Sequence, residues 1–564
     1  MIEPNEITLT NVYIQVLKFL TETMTKLRVK SKSSLKIVLR IFHGKFPLEN
    51  ILVILITLSL FISSLYIKNL IGTWIFESVG WDYNFTFYHP SGVKEVWFFE
   101  IYKDSESYYM PFLEAFRYEG WNPYVRSEGY LDYYVYGPMF IYGLYLVSLI
   151  IGVINPGASS DLVVQESVKW FAIVFDSLSV VLLYLIIKDL KTFKERRLTK
   201  HIYGILGAIS LLFMPMCLFY IDAYHLNTPQ MTFFTLIAIW MFLKEKYKFS
   251  AILLSLGWLS KQVPLFLIIP LFFIIRQKKG ISFALKKFIL PFVVWSFLFS
   301  IPWILITPHL YIGRLIGVGR PLWYAALGGD AIKHGVTLAN TFLYLGSTTL
   351  TNFYIVINIA MIPFFLSYIF AILISSFNGK KIGENETIFS LYITWLLVLI
   401  HVFMSRGIFK YYDTYITPFL VLSSLLIIDK AIRKIPKLRN KNNLNGIKSG
   451  GGEINKGYLV LNKLTFFGKE FFFLVSFLSS ILVIYYLNWI IMIESRFLHP
   501  LFLLLLLLSI SLFLPFEFYQ SMFKRVNYQI LKKDICEIFR LIKNKCKKIY
   551  KIFRLKLLKK RKEK

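Results

Sequence analysis

The feature that most restricts this chain is a succession of apolar runs about as long as a bilayer is thick. Ile51 to Ile67, Phe353 to Phe377 and Phe471 to Ile491 approach or reach the roughly 20 residues that one helix needs to cross about 30 Å of hydrocarbon. On the order of twelve such runs can be read along the sequence, so lipid is the solvent for most of the fold. Apolar residues make up 56% of the 564 positions, which excludes an ordinary soluble globular protein.

A formal charge of +31 raises nucleic acid as a partner. The Lys and Arg residues, however, cluster in short loops between apolar runs and in the two tails, as the positive-inside rule requires of cytoplasmic segments. Cys217, Cys536 and Cys546 form no disulfide framework, so redox chemistry is not expected. The first forty-odd residues carry no signal-peptide pattern, and Lys30 to Lys45 reads as a cytoplasmic membrane-surface helix.

The basic segments fix a route through the bilayer. Those expected inside are the N-terminal tail, Lys188 to Lys200, Lys244 to Lys248, Arg276 to Lys279, the Lys380 and Lys381 loop, Lys430 to Lys463, and Lys524 to Lys564. If Pro138 to Ile154 lies along the outer interface or re-enters, every later loop obeys the rule. The crossings are then Ile51–Ile67, Trp170–Ile187, Ile202–Tyr220, Asn227–Leu243, Phe249–Ser260, Val263–Ile275, Phe288–Ile306, Phe353–Ser376, Ile388–Met404, Thr414–Ile428, Phe471–Ile491 and Leu501–Pro515. The expected fold is an all-α polytopic membrane protein with a long first extracytoplasmic loop containing interfacial helices. Its parts are a basic cytoplasmic segment (1–49), a membrane unit (50–430), a basic linker (431–468), a two-span unit (469–516) and a basic tail (517–564), with both termini cytoplasmic.

This route gathers a mixed set of acids, cations and imidazoles on the non-cytoplasmic side. Asp104 opens a segment of helical spacing and suits a general base or a helix N-cap, with Asp82 and Asp132 as competitors. Asp222 and His225 share a short turn between two spans, where Asp222 suits a helix N-cap or, with His225, a site. Lys261 and Gln262 tip a broken apolar hairpin, where a cation needs protein or water around it. Arg406 and Lys410 flank a glycine at the mouth of a later span and suit a phosphate or an interfacial anchor. Asp176, midway along a span, reads as an interhelical hydrogen-bond partner.

From about Asp104 to Asp429 the chain resembles the GT-C class of integral-membrane glycosyltransferases, most of all the dolichyl phosphate glucose-dependent glucosyltransferases of asparagine-linked glycan assembly. Asp104 in Asp104-Ser105-Glu106-Ser107-Tyr108-Tyr109 is similar in placement to that family's acidic base. Leu131-Asp132-Tyr133-Tyr134-Val135-Tyr136-Gly137-Pro138 resembles its L-D-Y-P-P-L stretch, and Asn155-Pro156 its later Asn-Pro. In its D-H-x-H-F-Q-Y-N motif Asp222 and His225 match, while Ala223 replaces the first His and Asn227 stands where Gln is expected. Lys261-Gln262 matches its K-Q, whereas its H-x-H-E-K motif is absent from Arg406 to Lys410.

The resemblance implies inverting transfer of a hexose from a dolichyl or polyprenyl phosphate carrier to a lipid-linked glycan on the extracytoplasmic face. Asp104 is then the base, and Asp132, Asp222, His225, Lys261, Gln262, Arg406 and Lys410 are candidates for binding substrate or the donor phosphate. No metal or cofactor is implied, and no nucleic acid. Mannose transfer to protein or to another membrane glycan is an alternative, and a lipid or solute transporter is the alternative from a different class. The route makes a direct prediction: a cysteine introduced at Glu128 reacts with an impermeant thiol reagent from the non-cytoplasmic side, and labelling from the cytoplasm alone defeats the threading.

Overall fold

A computed structural model describes residues 48–79, 84–88, 94–98, 109–120, 122–126, 134, 136–194, 197–315, 350–403, 413–445, 503–508 and 510–511. The described residues are overwhelmingly helical. The main helices are α1 (Leu48–Val79), α2 (Pro138–Ile154), α3 (Ser160–Asp189), α4 (Arg197–Leu212), α5 (Pro215–Ala223), α6 (Thr228–Leu243), α7 (Tyr247–Ser260), α8 (Leu265–Lys279), α9 (Ile281–Ile306), α10 (Leu350–Glu384), α11 (Glu386–Phe403) and α12 (Asp413–Asn445). One small departure from the all-α expectation is an antiparallel ribbon in the first long loop. There Asn84–Tyr88 pairs with Lys94–Phe98, and Thr86 stands opposite Val96. The β-branched and aromatic residues of both segments favour such pairing.

By length and composition, four described helices can cross a membrane: Glu49–Ile75, Ser160–Asp189, Ile281–Ile306 and Glu386–Phe403. A fifth results if α4 and α5, bent by 42° at Phe213–Met214, count as one span. Pro215 supplies the break, since it has no N–H to continue the ladder. Of the other expected crossings, Asn227–Leu243, Phe249–Ser260 and Val263–Ile275 coincide with the shorter helices α6, α7 and α8, and Phe353–Ser376 and Thr414–Ile428 fall within the longer α10 and α12, while Phe471–Ile491 lies outside the described residues. The backbone of α12 stays helical to Asn445, through the start of the segment expected as a linker.

The chain divides into two units, 1–62 and 63–564, with the boundary inside α1. Within the larger unit, α1 inverts the pattern of a soluble helix. Ser64, Lys68 and Gly72, at four-residue spacing, are covered, whereas Tyr66, Leu70 and Trp74 are exposed. Large apolar side chains facing outward with polar ones facing inward is the arrangement a lipid solvent selects. The outer face of α9, with Leu290, Val293 and Phe297 exposed, repeats it. Hydrogen bonds between small polar residues tie helices together inside: Ser390 to Ser423 at 2.8 Å, Thr394 to Ser423 at 2.8 Å, and Trp258 to Ser296 at 2.8 Å. Trp395 donates to Ser511 at 2.8 Å, so Ser511 of the expected two-span unit (469–516) touches α11 of the expected membrane unit (50–430).

The two ends of the bundle differ in chemistry. At one end the basic segments converge on acidic partners: Asp189 meets Lys188 at 3.0 Å and Lys244 at 2.5 Å, and Glu245 meets Lys278 at 2.8 Å and Lys279 at 3.0 Å. Glu386 there accepts the backbone N–H groups of Lys191 at 2.9 Å and Thr192 at 3.0 Å. Lys188 to Lys200, Lys244 to Lys248 and Arg276 to Lys279 thus share one end, as the threading expects.

At the other end lies an aromatic core. Tyr124, Tyr134, Tyr136, Phe140, Phe171, Trp303 and Tyr311 pack edge to face, with Tyr124 to Tyr134 centroids 5.0 Å apart and Tyr124 to Tyr311 5.1 Å apart. The phenol of Tyr124 donates to the Tyr136 carbonyl at 2.9 Å, and that of Tyr134 to the Gly137 carbonyl at 3.0 Å. α2 runs against the first half of α3, with Phe140 and Phe171 5.5 Å apart. Its first turn presses on the last turn of α7 so closely that a Cβ at Gly137 meets the Leu259 carbonyl oxygen at 1.9 Å. Gly137→Ala is therefore expected to destabilise the protein by about 1–3 kcal/mol through overpacking against backbone. Thermal unfolding in detergent checks this, with Gly157→Ala, which meets nothing within 4 Å, as the control.

Candidate functional site

The segment from Tyr220 to Thr228 carries more buried polar contacts to distant parts of the chain than its length suggests. It begins in the π-helical turn Leu218–Ala223, whose wider spiral ends with His225 N–H bonded to the Ile221 carbonyl at 2.9 Å and Leu226 N–H to the Tyr220 carbonyl at 3.1 Å. His225 closes this turn in the left-handed region, φ 55°, a conformation uncommon for residues other than glycine.

Three polar contacts radiate from the segment. Asp222 faces backward to α1 and α3. Its Oδ2 lies 2.9 Å from Lys68 Nζ, and the same ammonium bonds Asp176 of α3. All three side chains are almost wholly enclosed. Ser64 donates to Ser177 at 3.0 Å one turn away, and a Cβ at Gly72 would meet the Asp222 carbonyl oxygen at 2.4 Å. The polar stripe of α1 thus docks on α3 and the π turn through hydrogen bonds, an ion cluster and a glycine contact. Removing one partner of a buried ion pair costs about 3–5 kcal/mol, because the other charge is left uncompensated.

Asn227 faces forward to the break between α7 and α8. Helix α7 stops at Ser260, Lys261 is extended at φ −159° and ψ 147°, and α8 resumes at Leu265 after Pro264. The Lys261 ammonium, buried, donates to Asn227 Oδ1 at 2.5 Å and stands 5.9 Å from the centroid of the Tyr136 ring. Asn227 Nδ2 is buried with no hydrogen-bond partner among the described residues. Gln262, half-buried, follows on the turn. Thr228, third, shares a 2.7 Å hydrogen bond with Thr414, beside the buried Asp413 at the start of α12.

Of the sequence candidates, the structure brings Asp222, His225 and Lys261 around one turn. Asp222 does not cap a helix; it pairs with Lys68. Asp104, Asp132, Arg406 and Lys410 lie outside the described residues. Tyr109, five positions after Asp104, has its ring 5.8 Å from Tyr136, and Tyr136, four after Asp132, faces Lys261. Asp413 follows Lys410 by three positions.

Sequence reasoning misses Lys68, because the apolar run of the first span ends at Ile67, one residue before it. The helix in fact runs on to Val79 without a break. The signal was the spacing of Ser64, Lys68 and Gly72, which places all three on one face. Asp413 and Thr414 were missed because a threonine and an acid at the start of a span resemble an ordinary helix entry.

The His225 imidazole is half-buried at its edge but deeply set, and that burial, reinforced by the Lys169 cation, pushes it down to about 3. It is therefore neutral at pH 7. Because the folded value lies below the ordinary 6.5, the unfolded chain binds more protons between those two values. The stability it contributes is complete above about pH 6.5 and is lost as pH falls toward 3. Unfolding temperature should fall from pH 7 to pH 4, and His225→Asn, which tolerates the left-handed region, should flatten that fall.

No family model matches this chain, and neither a curated protein nor a solved structure is detectably similar to it.

Proposed function

We infer that the protein is a GT-C-like inverting glycosyltransferase of about twelve spans, moving a hexose from a polyprenyl or dolichyl phosphate carrier to a lipid-linked glycan on the extracytoplasmic face. The observation that carries this reading is Lys261: a buried cation at a helix break, held by Asn227 of the same turn as His225 and faced by Tyr136, at the bundle end opposite the basic loops. A departing phosphate needs positive charge in a water-poor setting, where each cation counts for more than in bulk water. Lys261 meets that requirement, with Arg406 and Lys410 as further phosphate partners.

In this reaction Asp104 takes the proton from the acceptor hydroxyl. The hydroxyl oxygen attacks the anomeric carbon from the face opposite the phosphate, and the bond from that carbon to the phosphate oxygen breaks. Phosphate leaves as a monoester dianion on the polyprenyl chain, its new charge met by Lys261 and its neighbours. Asp222 is less suited to phosphate, since it is already engaged with Lys68.

A transport reading draws on a different observation, the Lys68, Asp176 and Asp222 cluster, because ionisable groups inside spans commonly line pathways for ions or protons. One assay separates the two. Purified protein is incubated with polyprenyl phosphate glucose or mannose and lipid-linked glycan. Transfer is expected, with loss of all product in Asp104→Asn and a fall of about 100-fold or more in Lys261→Met, the scale of removing one charge-stabilising group. No product and no donor hydrolysis with either sugar favours transport.

A further inference from the structure

The ion cluster does not balance. Lys68 contributes one positive charge, while Asp176 and Asp222 contribute two negative charges if both are ionised, and all three side chains are enclosed. The Lys68 ammonium reaches an oxygen of each acid, leaving Asp222 Oδ1 buried with no hydrogen-bond partner among the described residues. Among the described residues, the groups facing the cluster add no positive charge. Ser64 and Ser177 hydrogen-bond to each other, and Cys217, at the start of the π turn, presents a thiol. The cluster fully ionised is a net anion in the interior of a lipid-embedded bundle. A buried group in that position neutralises by taking up a proton rather than remaining charged. Two carboxylates that share one counter-ion titrate as a pair.

We propose that Lys68, Asp176 and Asp222 form a proton-binding site, in which one proton is held on the carboxylate pair and the ammonium balances the remaining negative charge. The proton enters or leaves as one unit: gaining it converts one carboxylate to a carboxylic acid, and losing it restores the net negative charge. The site binds α1 to α3 and to the π turn that leads to His225 and Asn227, so its occupancy bears on the contact that seats the first helix. It stands apart from the transfer chemistry and holds whether the protein transfers a sugar or carries a solute.

Infrared spectroscopy of the full-length protein reads the proton directly, as the carbonyl stretch of a protonated carboxylic acid, shifted in D2O. At pH 7 the wild-type protein should show this band, and raising the pH should remove it in a single one-proton step. Both Asp176→Asn and Asp222→Asn should abolish it, because either leaves one carboxylate fully balanced by Lys68. A wild-type spectrum without the band at pH 7 overturns the proposal. A band that survives both replacements belongs to another acid and overturns it too, and one lost in only one of them marks an isolated acid rather than a shared site, with the same result. If neither variant folds, the wild-type titration decides alone.

Discussion

A lysine ammonium enclosed among helices is tolerated only where opposite charge and hydrogen-bond acceptors surround it, and Lys68 depends on Asp176 and Asp222 for both. That dependence orders much of the structure. It obliges α1 to lie with its polar stripe against α3, and it holds the π turn so close that only glycine fits at position 72. The outward faces of the same helices are left to Tyr66, Leu70 and Trp74, which lipid accommodates. The fold is therefore fastened from inside by few, directional contacts, with its apolar surface turned out.

The π turn explains how one short segment serves several neighbours. A π spiral inserts an additional residue per turn, so side chains close in sequence point in directions an α-helix would not give them. Asp222 reaches back to Lys68, Asn227 forward to Lys261, and Thr228 across to Thr414. The break after Phe213 and the left-handed His225 bracket the turn on either side. The basic end has irregular backbone of its own, with Glu245 in the left-handed region at φ 57° and another π turn at Leu285–Ile289, and there it is fastened by ion pairs nearer the surface, such as Lys278 with Glu245.

Much of this was legible in the sequence. Helices α6, α7, α8 and α11 fall within a few residues of apolar runs bounded by Lys, Arg or Pro, whereas α3 begins at Ser160, ten residues before the expected Trp170, and Pro138–Ile154 begins and ends where its flanking Gly137 and Asn155 indicate. The prominence of Lys261 followed from a charge between two short apolar segments. The pairing of Asp222 with Lys68 was not legible, because the two are 154 positions apart and no local pattern records a contact of that range. Nor was the π turn, whose residues Leu218 to Tyr220 read as the end of an ordinary span and Ile221 to Ala223 as the turn that follows it. The β ribbon escaped because charged residues at Lys94 and Glu95 obscured its strand pattern.

The separation between Lys68 and its partners also bears on how the protein is made. Synthesis runs from the N-terminus, so Lys68 leaves the ribosome 108 residues ahead of Asp176 and 154 ahead of Asp222. At about 5–20 residues per second the first partner follows after roughly 5–20 s. Throughout that interval the first helix carries a cation that its final neighbours do not yet offset. Its seat in the bilayer is consequently a late event in assembly, completed only when the third helix and the turn at Asp222 have arrived to receive it.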